Sequence, residues 1–69
     1  MITAKDWKRN GNGLWWYVHG DYMYIVKKLA RKKHGLSIKF KSVLLHYYEY
    51  AFLYDAIERA WKHMKEIKE

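Results

Sequence analysis

Basic side chains crowd the middle of the chain and carry its clearest chemical signal. The 69 residues include 14 Lys and Arg against 7 Asp and Glu, a formal net charge of +7. No acid interrupts the sequence between Asp21 and Glu49, where the basic residues are Lys27, Lys28, Arg31, Lys32, Lys33, Lys39 and Lys41. Such a set neutralises phosphates and releases condensed counterions, which gives salt-sensitive affinity. The pattern predicts a nucleic-acid-binding patch on residues 27–41, with Lys8 and Arg9 as further contacts.

Two other interpretations of the same charge remain open. Lysine-rich surfaces also keep small proteins in solution, and bases near a helix C-terminus complement the helix dipole. A basic surface can equally bind an acidic surface on another protein. Membrane phospholipid is the least favoured ligand, and no membrane association is expected.

Aromatic residues are interleaved with these bases and could stack on unpaired nucleic-acid bases. The chain contains four Trp, seven Tyr and two Phe. The aromatic residues nearest to bases are Trp7, Trp15, Trp16, Tyr17, Tyr22 and Tyr24. In a strand, Trp15 and Tyr17 would face one side, and Trp16 the other. One set is therefore expected in the core and the other on the surface.

Catalytic and metal-binding patterns are missing from the sequence. No pair of the four histidines stands at ligand spacing, and Ser37 and Ser42 lack the context of a nucleophile. His46 is expected in a core or an interface, whereas His34 and His63 lie among lysines and are expected to be solvated. The chain has no cysteine, which excludes disulfides. We predict a protein that is not an enzyme and that needs neither a cofactor nor a metal.

The N-terminal half has the local signals of strands. The turn sequence at 10–13 separates Lys5–Arg9 from the aromatic and β-branched run at 14–18. A second turn at 19–21 precedes Tyr22–Val26, which predicts a third strand. The alternative for residues 21–34 is a helix that begins at Asp21 as the N-cap and ends at Gly35. Residues 36–41 alternate apolar and polar side chains, so a strand there would project Lys39 and Lys41 together.

The C-terminal third has helical spacing and predicts one long helix from Ser42 to Lys68. No Gly or Pro interrupts it. Apolar residues recur at alternating steps of four and three, at Val43, Tyr47, Tyr50, Tyr54, Ile57, Trp61 and Met64. The first half of this segment is apolar almost all round, which indicates a covered surface. We expect a partner interface or a homodimer through this helix, with contacts from Tyr47, Tyr50, Tyr54 and Trp61.

Together these elements predict one α+β domain over residues 1–69. A small N-terminal antiparallel β-meander of two or three strands would pack on one long C-terminal α-helix. The alternative is a mostly α fold with a short N-terminal hairpin. The longest apolar stretch, at 43–54, is shorter than the ~20 residues of a membrane span. With a polar N-terminal segment and no signal-peptide pattern, the expected location is the cytoplasm.

The order of these elements resembles a class of small DNA-binding domains. Residues 7–11, 15–20 and 35–40, followed by a helix, are similar in order to the three-stranded-sheet-plus-helix domains of phage integrase arms and plant ethylene-response factors. The interval between residue 40 and residues 54–56 is longer than in those families. The resemblance implies DNA rather than RNA as the ligand, and a role as a regulator or accessory factor of a mobile element.

A second functional hypothesis remains open. The aromatic surface is also typical of protein interfaces, where Trp, Tyr and Arg supply most anchors. The chain could therefore be a small inhibitor, encoded by a phage or mobile element, that binds a host protein.

Overall fold

The protein is an antiparallel sheet with one helix packed on it. The computed structural model describes residues 7–67. Five strands precede the helix: β1 (Lys8–Arg9), β2 (Leu14–His19), β3 (Tyr22–Ala30), β4 (Lys33–Phe40) and β5 (Val43–Tyr50). The helix α1 spans Leu53–Glu66. All neighbouring strands are antiparallel and follow each other in chain order, so the sheet is a five-stranded meander.

The predicted fold class is therefore wrong in both of its forms. The sheet has five strands rather than two or three, and strands make up more than half of the described residues, which excludes a mostly α fold. The long helix is half its predicted length, because residues 43–50 form β5. Lys5, where the first strand was predicted to begin, and Lys68, where the helix was predicted to end, lie outside the described residues.

The error at β5 has a physical cause. The residues of β5 fit the two-residue period of a strand as well as the period of a helix. In the strand, Tyr48 and Tyr50 face one side, and Tyr47 and Glu49 face the other. Val and Tyr also favour strands over helices. A short apolar run does not distinguish the two periods, so tertiary pairing with β4 decides the structure.

The turn between β4 and β5 gave no sequence signal. Lys41 and Ser42 both have positive φ, at 49° and 72°. A two-residue hairpin turn of the type that matches strand twist requires this conformation, and it normally selects Gly, Asn or Asp. Because Lys and Ser occupy it here, the end of β4 could be mistaken for the entry to a helix. The turn also removes Lys41 from the strand, so it does not project with Lys39 as predicted.

Residues 22–30 adopt the strand interpretation rather than the helical alternative. Asp21 lies in the turn between β2 and β3, beside Gly20, whose φ is +62°. Gly35 is buried within β4 and does not terminate a helix. Its role is to admit the Tyr47 ring, because a Cβ at this position would collide with the Tyr47 hydroxyl.

The core lies between α1 and one face of the sheet. Tyr24, Val26, Leu36 and Ile38 are fully buried at the centre of β3 and β4. The helix covers them with its buried residues, which are Ala56, Ile57, Ala60, His63 and Met64. Alanines at the contact let the helix approach the sheet closely. Trp7 completes the buried cluster from the chain segment before β1.

Within residues 7–67, no helix combines the length and the apolar character that crossing a membrane requires.

Candidate nucleic-acid interface

One row of paired residues crosses all five strands on the side of the sheet away from α1. Its members are Lys8, Trp16, Ile25, Ser37 and Tyr47, each directly opposite the next. Successive residues of a strand point to opposite faces, and the residues adjacent to Ile25 and Ser37 are the fully buried ones beneath α1. This row therefore lies on the uncovered side.

Two further rows flank it and complete what we call the open face. On one side lie Val18, Met23, Lys39 and Leu44, and on the other lie Leu14, Lys27, Gly35 and Glu49. Lys33 joins them at the start of β4, two residues before Gly35. Five strands at about 4.8 Å spacing make this face roughly 19 Å across, which is wide enough for several nucleotides.

The open face is positively charged. Of the residues that the structure describes, it carries four lysines, Lys8, Lys27, Lys33 and Lys39, against one carboxylate, Glu49. That carboxylate is already engaged, because Lys33 Nζ lies 3.6 Å from Glu49 Oε1 and the Tyr47 hydroxyl donates to Glu49 Oε2 over 3.0 Å. Lys27 and Lys39 stand about 13 Å apart along the strands, so the charge spans the face.

Aromatic rings lie between these lysines. Trp16 is half-buried in the central row, and Tyr47 is half exposed above Gly35. Desolvation, the hydrogen bond to Glu49 and the charge of that carboxylate raise the pKa of Tyr47, so its hydroxyl stays protonated as a donor. Flat rings beside mobile cations are the combination that binds stacked bases and their phosphates.

Strand alternation divides the predicted basic set between the two faces. Lys8 and Lys27 lie on the open face, whereas their neighbours Arg9 and Lys28 pair with Trp15 and His34 on the other side. Adjacent bases in the sequence are therefore separated by the thickness of the sheet.

The turns hold the rest of the predicted set. Arg31 and Lys32 form the turn between β3 and β4, next to Lys33. Lys41 lies at the opposite end of the sheet, where its amide donates to the Asp21 carbonyl over 3.0 Å and its Nζ stands 5.4 Å from the Phe40 ring centre. The structure thus places these bases at both ends of the sheet and on both faces.

Arg9 and Lys28 meet at a second positive site. With Trp15 and the turn at 11–13 they line a shallow cleft of about 540 Å³ on the helix side of the sheet. Gly11 and Gly13 have φ of +83° and +82°, as the sequence signal for this turn predicts. Among the described residues, no acid lines the cleft. The cleft lacks the breadth and the repeated rings of the open face.

Both histidines that were predicted to be solvated, His34 and His63, are buried. His34 lies beneath the Trp15 ring, with 6.1 Å between ring centres. His63 faces inward from α1, with its Nδ1 2.8 Å from the Tyr24 hydroxyl. The prediction failed because it weighed the neighbouring lysines in sequence, whereas helix and strand periodicity turn these two side chains inward.

The surroundings of His63 favour its neutral form. Burial lowers its pKa, and the nearby His46 and Arg59 lower it further. The His46 ring is exposed and its centre lies 5.6 Å from that of His63. Burial also raises the pKa of Tyr24 to about 12. Across the described part of the chain, no three His, Cys, Asp or Glu side chains are grouped as metal ligands would be. These histidines contribute to packing.

The three tyrosines and the tryptophan predicted at an interface do not lie on one helix. Tyr47 lies on the open face, and Tyr50 is half-buried at the end of β5. Tyr54 is 73% exposed at the start of α1, and Trp61 is half-buried beneath Lys65, whose Nζ stands 4.4 Å from its ring centre. The helical stripe that would have joined them does not form.

Comparison with known proteins assigns this chain to no family. No protein family, curated protein or solved structure matches it. Its function must therefore be inferred from the surfaces described above.

Sequence reasoning named Lys8 and Tyr47 but did not join them in one row across the open face. Ile25 and Ser37 of the central row and Leu44 of a flanking row were not among the candidate residues, and Trp16 was only one of several exposed candidates. The alternation of β2, β3 and β4 contained this information, but it could be used only when all five strands and their register were known.

Proposed function

We propose that this protein is a non-enzymatic nucleic-acid-binding protein that holds a single strand against the open face of its sheet. The observation that carries the proposal is the row of Lys8, Trp16, Ile25, Ser37 and Tyr47 across all five strands, flanked by further lysines. Lysines would neutralise phosphates, and the rings would stack on unpaired bases. The proposal includes a location in the cytoplasm, where a protein could meet such a ligand.

A single strand fits this face better than a duplex does. Bases within a duplex are already stacked on each other, so exposed rings gain little from them, whereas unpaired bases present free faces. The helix is also unsuited to the major groove. Its buried side is packed on the sheet, and its outer side mixes acids with bases, including Asp55, Glu58, Lys62 and Lys65.

Matched pairs of lysine substitutions test the proposal. Lys27→Gln with Lys39→Gln removes two charges from the open face, and Lys62→Gln with Lys65→Gln removes two from α1. Single strands lose about 0.7 in the slope of log affinity against log salt for each phosphate contact. Filter binding should therefore show the slope reduced by about 1.4 for the first pair and little changed for the second.

The same experiment compares three nucleic acids as ligands. Single-stranded DNA, RNA of the same sequence and duplex DNA are compared at low salt, and the single strands should bind more tightly than the duplex. If both lysine pairs reduce the salt-dependence slope by the same amount, binding follows net charge alone and does not depend on the open face. If none of the three ligands is retained at low salt, the protein is not a nucleic-acid-binding protein.

The alternative function, inhibition of a host protein, is favoured by one feature outside the open face. Phe52 and Tyr54 are both well exposed at the junction of β5 and α1. Exposed aromatic residues at such a junction can anchor a protein partner. If Phe52→Ser with Tyr54→Ser abolishes a specific pull-down from host lysate while leaving nucleic-acid binding intact, the inhibitor hypothesis gains support over the proposal above.

A further inference from the structure

The two edges of the sheet differ in how they are protected. The first edge, β1, has two residues, and both are basic, Lys8 and Arg9. Short and charged edge strands resist pairing with another chain. The last edge, β5, has eight residues and contains no Lys, Arg, Pro or Gly. A register shift at Leu45 interrupts the strand near its start, whereas residues 46–50 pair regularly with β4. Proteins that stay monomeric rarely leave a regular, weakly charged stretch of edge strand open.

Exposed apolar side chains concentrate on this second edge. Val43, Leu44 and Leu45 are 61%, 54% and 46% exposed, and Tyr47 is half exposed beside them. Within residues 7–67, β5 pairs on one side with β4 and has no strand on its other side, since it is last in the strand order. Its outward backbone groups and its side chains together form a strip that would gain by contact with another strand.

We propose that β5 pairs with β5 of a second copy of this chain, in antiparallel orientation, so that two five-stranded sheets become one of ten strands. An open antiparallel edge is complementary to a second copy of itself, because the outward N–H and C=O groups of one strand pair with the same groups of the other. The charge distribution favours this edge as the place of contact. The molecule has a net charge of +7, and two copies repel each other over most of their surface. The edge β5 carries one acid and no Lys or Arg, so repulsion is weakest where the two edges meet.

Pairing by the open faces themselves is disfavoured. Stacking one open face on another would oppose its lysines, Lys8, Lys27, Lys33 and Lys39, with the same four lysines of the second copy. Edge pairing avoids this contact and also provides partners for the backbone groups of β5. The pairing requires no nucleic acid.

Symmetry constrains the dimer further. An antiparallel strand pair between identical chains has its two-fold axis perpendicular to the sheet, so both open faces lie on one side and both helices on the other. A register centred on Tyr47 sets each Glu49 opposite Leu45 of the second copy. The two Glu49 carboxylates are then about 13 Å apart along the strands, which avoids like-charge contact.

Sedimentation velocity over a dilution series, in high salt and without nucleic acid, tests the dimer. Leu45→Glu sets a carboxylate opposite Glu49 of the second copy, where like charges repel, and should yield a monomer. The control Val18→Glu adds the same charge at an exposed apolar site of the open face away from β5, and it should remain dimeric. Circular dichroism checks that both variants fold.

A cysteine cross-link provides a second measurement, because the wild-type chain has no cysteine. Directly opposed residues of antiparallel strands have Cα atoms about 4.5–5.5 Å apart, within the range of a disulfide. Tyr47→Cys should oxidise to a covalent dimer, whereas Val18→Cys should not. A wild-type chain that is monomeric at every concentration overturns the proposal. So does a dimer that the control variant disrupts and the edge variant leaves intact, since the open faces would then be the contact.

The edge variant also separates this proposal from the proposed function. Each copy has a complete open face, so a folded monomeric variant should still bind short single strands. Loss of the dimer with retained binding supports both proposals, and a dimer that binds no nucleic acid supports only the pairing of β5.

Discussion

The hydrogen bond between Tyr24 and His63 is the polar contact that joins α1 to the centre of the sheet. Tyr24 is fully buried and His63 nearly so, and the two atoms are 2.8 Å apart. Tyr24→Phe removes the hydroxyl and leaves His63 Nδ1 without this partner in a buried site. A buried polar group left unpaired costs about 1–3 kcal/mol. For a domain of this size, each kcal/mol shifts the melting temperature by about 4–8 °C.

Thermal unfolding followed by circular dichroism at pH 7.5 measures this effect. The matched control is Tyr22→Phe, because the Tyr22 ring also packs against His63, at 5.3 Å between centres, but its hydroxyl makes no hydrogen bond to it. We expect Tyr24→Phe to lower the melting temperature by about 8–16 °C for a 2 kcal/mol loss, and Tyr22→Phe to change it much less.

A double-mutant cycle assigns the loss to the contact itself. In a His63→Leu background, Tyr24→Phe should cost markedly less than in the wild type, because the hydroxyl has no imidazole partner left to lose. If Tyr24→Phe costs less than about 0.5 kcal/mol in the wild type, or if its cost is unchanged by His63→Leu, the hydrogen bond does not stabilise the docking of α1.

Four further predictions follow from single sites. The pKa of His63 is lowered in the folded protein, so the unfolded chain binds a proton at this residue more readily than the folded chain does. The free energy of unfolding is therefore fully retained above the ordinary histidine pKa near 6.5 and decreases as the pH falls through the folded pKa. The urea midpoint should be lower at pH 5 than at pH 7.5. Gly35→Ala should destabilise the wild type by about 1 kcal/mol in urea unfolding and should cost markedly less in a Tyr47→Ala variant. The Tyr47 ring is then absent, and the close contact that stays is with Leu29 Cδ1, at 3.2 Å from the added Cβ. Ser42→Gly should raise the melting temperature, because it relieves about 1 kcal/mol of left-handed strain at φ 72°. Ile38→Ala should cost about 2–5 kcal/mol, which calorimetry would register as severe destabilisation, because Ile38 is fully buried under α1.

The N-terminal half of the fold was accessible to sequence reasoning because its turns are marked. Gly11, Gly13 and Gly20 all adopt positive φ, as expected of glycines that permit tight turns. The aromatic and β-branched runs between these turns form β2 and β3. At each of these points the local preference of the residue and the tertiary structure agree.

The C-terminal half failed where local signals were weak. The turn at Lys41 and Ser42 uses residues that seldom adopt positive φ, so nothing in the sequence indicated a boundary between β4 and β5. The helix α1 was expected, but with Tyr54 in its buried stripe. The buried stripe instead contains Ala56 and Ala60, which are small residues that a search for large apolar side chains overlooks.

The candidate site was predictable in charge but not in shape. The sequence located half of the 14 basic residues between residues 27 and 41, with no acid among them. It could not assign Lys27 and Lys28 to opposite faces without the register of β3. A shift of one residue in a strand reverses the face of every side chain, so the composition of the open face depends on pairing rather than on order in the chain.

Nuclear magnetic resonance of the labelled protein, titrated with a short single-stranded oligonucleotide, tests the central claim most directly. Chemical-shift changes should concentrate on Trp16, Ile25, Ser37 and Tyr47, with the side-chain indole N–H of Trp16 among the signals that move. Shifts confined to the exposed side of α1 at Lys62 and Lys65, or no shifts at low salt, would contradict the claim that the open face binds nucleic acid.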